Sequence, residues 1–185
     1  MTSLPILQGK RILITGAARG LGRDFAQAAA EAGASVVMAD ILKDLVSVEA
    51  EKLKQLGLNV SSVSIDLSQK ASIQSAVEKA VEQLSGLDGL INCAALATGV
   101  GGVSMMEYDE DLWDRVMTIN VKGTWLVTQA CVPHLKASCS GKIVNIASDT
   151  AMWGAQRLMA YVASKGALIA MTRSMARELG EDNIC

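Results

Sequence analysis

Tyr161 and Lys165 stand four residues apart in Tyr161-Val-Ala-Ser-Lys165, and Ser148 precedes Tyr161 by thirteen. On a helix, residues four apart lie on one face. An ammonium ion beside a phenol favours the phenolate, which would make Tyr161 a proton acceptor. Alone, that spacing also fits an ordinary surface contact. Ser148 separates the two readings, because it follows the apolar run Ile143 to Ala147. If that run is a strand, Ser148 sits at the carboxyl edge of a parallel sheet, where ligands bind in such folds.

A second group of residues points to what such a proton acceptor would serve. Thr15-Gly16-Ala17-Ala18-Arg19-Gly20-Leu21-Gly22 places three glycines directly after the apolar run Arg11 to Thr15. Gly16 would permit the tight turn, Gly20 the approach of backbone to a pyrophosphate, and Gly22 close packing of the helix that follows, whose N-terminus favours an anion. Asp40, about twenty residues on, ends a second apolar run, where a carboxylate accepts from an adenosine ribose and repels a 2′-phosphate. NAD is thereby favoured over NADP. Arg19 pulls the other way, since a guanidinium in the loop could pair with a 2′-phosphate, although beside the Asp40 charge. Asp66, next to Leu67, ends a third run; it fits either the edge of an adenine site or a helix N-cap.

These residues need a scaffold. The chain has 185 residues, enough for one domain with a sizeable core, and half are hydrophobic while only 3% are aromatic. An interior of Ala, Val, Ile, Leu and Met is the mixture of helices packed on a parallel sheet. Strands are predicted at 11–15, 35–39, 60–65, 89–92 and 142–147. Helices are predicted at 21–32, 43–56, 71–84, 111–135 and 160–179. This alternation implies right-handed crossovers and a doubly wound α/β sheet, Rossmann-like, formed by residues 1–185 as a single domain. The glycines of the segment 98–104 mark a loose loop. Ile184 and Cys185 read as the start of a further strand, so the sequence reads as a piece of a longer protein whose sheet lacks its last strands.

Composition excludes several classes. A net charge of -2, with a pI of about 5.4, provides no basic face for nucleic acid. The four cysteines have no Cys-x-x-Cys spacing, which fits a reducing compartment, and no metal cluster is expected. Residues 1–10 contain Pro5 and Gly9 without a basic region and long apolar run, so neither a signal peptide nor a membrane anchor is expected, and the cytoplasm is the default. His134, the one histidine, follows Pro133 near the end of the long helix and has no partner in sequence for base chemistry. Trp113 and Trp125 read as packing or subunit contacts. Trp153, between Ser148 and Tyr161, either walls an apolar pocket or fills the core.

Taken together, the glycine loop at 15–22, Asp66, Asn92-Cys93-Ala94-Ala95, Asn120 in Asn-Val-Lys-Gly, Ser148 and Tyr161-Val-Ala-Ser-Lys165 resemble a short-chain dehydrogenase/reductase over essentially the whole chain. The resemblance implies a tetrad. Tyr161 exchanges the proton, Lys165 assists it and holds the nicotinamide ribose, Ser148 orients the substrate oxygen, and Asn120 supports a water relay. It also places Thr15, Leu21, Leu67, Asn92 and Ala94 with the loop glycines, Arg19, Asp40 and Asp66 at the cofactor. The usual Asn-Asn-Ala-Gly is here Asn92-Cys93-Ala94-Ala95, and similar proteins continue for two strands and a substrate lid beyond position 185. Association into dimers or tetramers through the two long helices is implied as well. The expectation is hydride transfer between NAD and a small, fairly apolar secondary alcohol or ketone. A dinucleotide-binding fragment or regulatory protein without turnover is the competing class.

Overall fold

The computed structural model describes residues 6–185; the reading of the N-terminus as neither leader nor anchor falls partly outside them. Five parallel strands, β1 (Arg11–Thr15), β2 (Ser35–Asp40), β3 (Val60–Ser64), β4 (Gly89–Asn92) and β5 (Lys142–Asn145), form one sheet in the order β3-β2-β1-β4-β5. The helices between them are α1 (Gly20–Glu31), α2 (Lys43–Gln55), α3 (Lys70–Leu84), α4 (Glu110–Met117), α5 (Thr124–Ala137), the short α6 (Thr150–Trp153) and α7 (Met159–Leu179). The strand order reverses direction between β1 and β4. The connections leaving their carboxyl ends run to opposite faces of the sheet and leave a crevice there.

The alternation of side chains along the strands builds two cores. Ile12, Ile14, Val36 and Met38 face α1 and α2, where they meet Ala26, Ala30, Val46, Ala50 and Leu53. Leu13, Val37, Val63 and Leu90 face the other way, against Ile73, Val77 and Ala80 of α3 and Val127, Cys131 and Leu135 of α5. Small residues dominate the first core, so α1 approaches the sheet closely. Of the eight methionines among the described residues, only Met38 is in the buried core, so aliphatic side chains fill the interior that the composition had assigned partly to methionine. The wholly buried Cys131 thiol is pushed up to about 12 by desolvation, which makes it an inert hydrophobe.

The long helix expected at 111–135 is instead α4 and α5 joined by one wide π-helical turn, Thr118–Gly123, with Asn120 inside it. Such turns are single insertions that periodicity does not reveal. Strand β5 ends at Asn145, so Ser148 lies three residues beyond the strand and not at its last position. Helix α6 is too short to leave a periodic signal. The loop at 98–104 is pinned: Val100 is buried against Val116 and Ala160, and Gly102 N–H donates to Arg157 O at 2.8 Å. Beside β5, Cys185 N–H donates to Gly141 O at 3.0 Å and Cys185 O accepts from Ile143 N–H at 2.8 Å, the start of another parallel pairing.

At the amino edge of the sheet, Arg11 of β1 is held by Asp88 just before β4. Nε donates to Oδ2 at 2.7 Å, Nη2 to Oδ1 at 3.0 Å, and the Arg11 backbone N–H to Oδ2 at 2.9 Å. These bonds hold the Asp88 carboxyl below its ordinary value and raise Arg11 above its own, against the opposing effect of burial. Removing the charge with Asp88→Asn should destabilise the fold by about 1 kcal/mol, read as a lower urea midpoint. Asp88 contributes stability that is full above the unfolded aspartate pKa and is lost as pH falls through the lowered native value. The wild-type and Asp88→Asn stability curves should therefore converge in acid.

Candidate active site

The turn after β1 is built by steric exclusion. Gly16 has φ +70°, and a Cβ there would lie 2.6 Å from Ala94 Cα; at Gly22 a Cβ would lie 2.2 Å from Gly16 O. Only glycine permits this crossing of the β1 and β4 turns. Thr15 Oγ1 completes the lock by accepting from Cys93 N–H and Ala94 N–H, both at 3.2 Å. Gly20 differs, having φ +55° and nothing within 4 Å of where a Cβ would stand. Its face opens on a cavity of about 840 Å³ lined also by Arg19, Leu21, Asp40, Asp66, Leu67, Cys93 and Ala94. A bare backbone cradle at a helix N-terminus facing a cavity of this volume fits a dinucleotide.

Asp40 is 9% exposed and ties the second strand to the glycine turn: Oδ2 accepts from Ala18 N–H and Oδ1 from Leu42 N–H, each at 3.0 Å. Each oxygen keeps a lone pair for a ligand. Asp66 does not cap α3, whose N-cap is Gln69; its Oδ1 instead accepts from Ser68 N–H at 2.8 Å and Ser68 Oγ at 2.7 Å. The helix-cap alternative is thus set aside in favour of a turn on the cavity wall. Arg19 holds extended backbone at the start of α1, and among the described residues it forms no ion pair.

At the far end of the same cavity stand Ser148, Tyr161 and Lys165. The first turns of α7 bring Lys165 Nζ to 5.7 Å from the Tyr161 ring centroid. Lys165 is only 3% exposed, and Nζ donates to Ile146 O at 2.6 Å. Burial lowers its pKa from the ordinary lysine value, with the neighbouring Cys93 acting in the opposite sense. Cys93 is itself raised by desolvation, which Lys165 opposes, so the thiol is held protonated beside the cation.

Asn120 does not reach the cavity wall. From the π-helical turn its Oδ1 accepts from Leu96 N–H at 2.7 Å, while Nδ2 donates to Leu96 O at 3.2 Å and to Ser164 Oγ at 3.1 Å. Ser164 Oγ in turn donates to Tyr161 O at 2.7 Å. Its side chain therefore clips the loop after β4 onto the start of α7. The Asn120 carbonyl accepts from Thr124 Oγ1 at 2.8 Å. Asn92 also stands behind the wall: Nδ2 donates to Thr128 Oγ1 at 3.1 Å and Asn145 Oδ1 at 2.9 Å, while Oδ1 is buried with no partner among the described residues. Trp153 neither walls the cavity nor fills the core, since it lies on α6 at 64% exposure.

The whole stretch 10–185 matches the family model described as short chain dehydrogenase. The chain belongs to the short-chain dehydrogenase family. It is 35% identical over 178 residues to FabG, a 3-oxoacyl-(acyl-carrier-protein) reductase of Thermotoga maritima, covering 96% of this chain and 71% of that one. It is 33% identical over 184 residues to a 5-keto-D-gluconate 5-reductase of Escherichia coli, covering all of this chain and 71% of the relative. In three dimensions it superposes on a carveol dehydrogenase from Mycobacterium avium in complex with NAD with a TM-score of 0.90 at 29% identity, over 97% of this chain and 69% of that one.

Within this short-chain dehydrogenase several wall residues carried no sequence signal. Ile41, Leu42, Leu96, Arg115 and Ile119 line the cavity because loops, α4 and the π-helical turn bring them there. The Ile146 carbonyl that holds Lys165 is backbone, which no residue type announces. Ser164 was detectable in principle, as the helical neighbour three residues beyond Tyr161.

The two glycines should fail differently. Gly16→Ala should destabilise the apo chain by about 2–4 kcal/mol, since the added methyl meets backbone. Gly20→Ala should cost about 1 kcal/mol for its positive φ yet weaken binding of a nicotinamide dinucleotide strongly, because its methyl would project into the cavity and meet no protein atom. Thermal melts of the apo chain and a fluorescence titration with NADH read the two effects apart.

Proposed function

We propose that the chain transfers a hydride between NAD and a small secondary alcohol or its ketone, with Tyr161 as general acid and base. One observation carries this reading: the glycine cradle and the Ser148, Tyr161 and Lys165 side chains line a single cavity. A bound nicotinamide dinucleotide would supply the hydride acceptor or donor. The chain's residues supply the rest.

In the oxidative direction the Tyr161 oxygen takes the proton from the substrate hydroxyl, and in reduction it returns it. Lys165 is the positive charge held 5.7 Å from the centre of the Tyr161 ring, and its burial keeps it from being screened by water. Ser148 donates to the substrate oxygen and orients it. Asn120 acts behind them by holding the Leu96 loop against Tyr161, so it positions the site instead of touching substrate. Gly16, Gly20 and Gly22 shape the pyrophosphate cradle; Asp40 takes the adenosine ribose, with Asp66, Leu67, Leu21 and Ala94 beside it.

Preference for NAD over NADP rests on Asp40 and on the exposed apolar Ile41 and Leu42 that follow it, which give a 2′-phosphate no cation. Arg19, the guanidinium of the glycine loop, could oppose this preference. Leu96, Ala97 and Ile119 make the wall apolar, which favours a substrate of low polarity. The names of relatives, a keto-gluconate reductase and a carveol dehydrogenase, are of proteins acting on a ketone or an alcohol. Among the described residues no helix is long and apolar enough to cross a membrane. Pairing of α5 and α7 with a second copy is the association this reading carries, and Trp125, 46% exposed on α5, is placed to take part.

Tyr161→Phe should lower kcat on an alcohol series by about 10²–10⁴ while NAD affinity stays within about twofold. Unchanged turnover would remove Tyr161 from the mechanism; NAD binding without turnover of any alcohol or ketone by the wild type would select the binding-protein alternative. Replacing Asp40 with Ser should shift the ratio of NADP to NAD affinity upward by about tenfold, which is about 1.4 kcal/mol. Titrating both cofactors against the variant checks this.

A further inference from the structure

Behind Ser148 lies a hydroxyl that no wall of the cavity includes. Thr150, the first residue of α6, places its Oγ1 2.8 Å from Ser148 Oγ, and its backbone N–H donates to the same oxygen at 3.3 Å. Thr150 is absent from the cavity lining, whereas Ser148 is on it. We infer that Thr150 is a positioning residue for the reaction: its hydroxyl donates to Ser148 Oγ and so commits the Ser148 proton to the substrate oxygen. This inference rests on the reading of Ser148 as the residue that orients that oxygen.

The argument is one of counting donors and lone pairs. A serine hydroxyl has one proton and two lone pairs. The Thr150 N–H occupies one lone pair. If Ser148 then donated to Thr150, no proton would remain for a ketone oxygen or a developing alkoxide, which can only accept. With Thr150 as donor, both lone pairs of Ser148 are filled and its proton points along the remaining direction. Among the described residues Thr150 Oγ1 has no other hydrogen-bond partner, so nothing competes for its proton. The one rival acceptor for Ser148 is Asp149 Oδ1 at 3.5 Å, beyond the usual O–H···O range, on an exposed side chain. The chain Thr150 to Ser148 to substrate also polarises each bond in turn. Neither hydroxyl loses its proton; only Tyr161 exchanges one with the substrate.

Two variants separate the hydroxyl from the shape of the side chain. Thr150→Val keeps the β-branch and the backbone N–H but removes the O–H, whereas Thr150→Ser keeps the O–H. Ketone reduction by Thr150→Val should fall about tenfold in kcat with NADH affinity unchanged, and Thr150→Ser should recover most of that loss. In a Ser148→Ala background, Thr150→Val should cost nothing further, because the two act as one unit. Wild-type turnover in Thr150→Val, equal impairment of the Ser and Val variants, or additive losses would each overturn the inference. Tyr161→Phe measured in the same series keeps the two readings apart: its loss beside an unimpaired Thr150→Val refutes Thr150 alone. If the wild type turns over no substrate, calorimetry of trifluoroethanol binding to the NAD-loaded chain decides instead. Weaker binding by Thr150→Val than by wild type supports the positioning role, and equal binding overturns it.

Discussion

A lysine ammonium ion taken out of water and given one backbone carbonyl organises this molecule. Lys165 is 3% exposed and Nζ lies 2.6 Å from Ile146 O. Burying a cation is unfavourable unless its donors are met, and a single carbonyl satisfies one of three. The bond pins α7 to the segment leaving β5, which carries Ser148, and so fixes the helix face that bears Tyr161. Lys165 also lines the cavity, where a ligand can meet its remaining donors.

The strand ends around that cation are tied together by polar bonds at their carboxyl edge, while apolar packing is left to the two sheet faces. Thr15 accepts from the turn after β4, Asn92 reaches to α5 and β5, and Asn145 Nδ2 donates to Thr172 Oγ1 of α7 at 2.9 Å. Each bond is directional, so it sets register and angle where hydrophobic contact alone would not. The amino edge is held separately by Arg11 and Asp88. Stability and site geometry therefore draw on different residues, except at Gly16 and Gly22, where backbone meets backbone.

Much of this was legible in the sequence because the relevant signals are local. Strand β1, the glycine turn and α1 follow from an apolar run, three glycines and an alanine-rich stretch. Tyr161 and Lys165 follow from helical spacing. The class of fold follows from alternation. What failed to show was whatever departs from regular periods: the π-helical turn that aims Asn120, the short α6 that carries Trp153 out to solvent, and the end of β5 three residues before Ser148. The loop at 98–104 reads as loose from its glycines, yet Gly101 lies so close to Leu158 and Arg157 that a Cβ would stand 2.7 Å from Leu158 Cδ1. There glycine marks close packing.

By itself the sequence determined the parallel α/β class, the cradle, and the chemical types of the proposed catalytic side chains, since each depends on residue identity and short-range spacing. Tertiary structure alone decided which of those side chains share a cavity and which stand behind it. It sent Asn120 to clip a loop, left Asp66 as a turn on the wall, and set Thr150 behind Ser148. Those roles depend on distances between segments far apart in the chain, which arise only when both faces of the sheet are buried and the strand ends are drawn together.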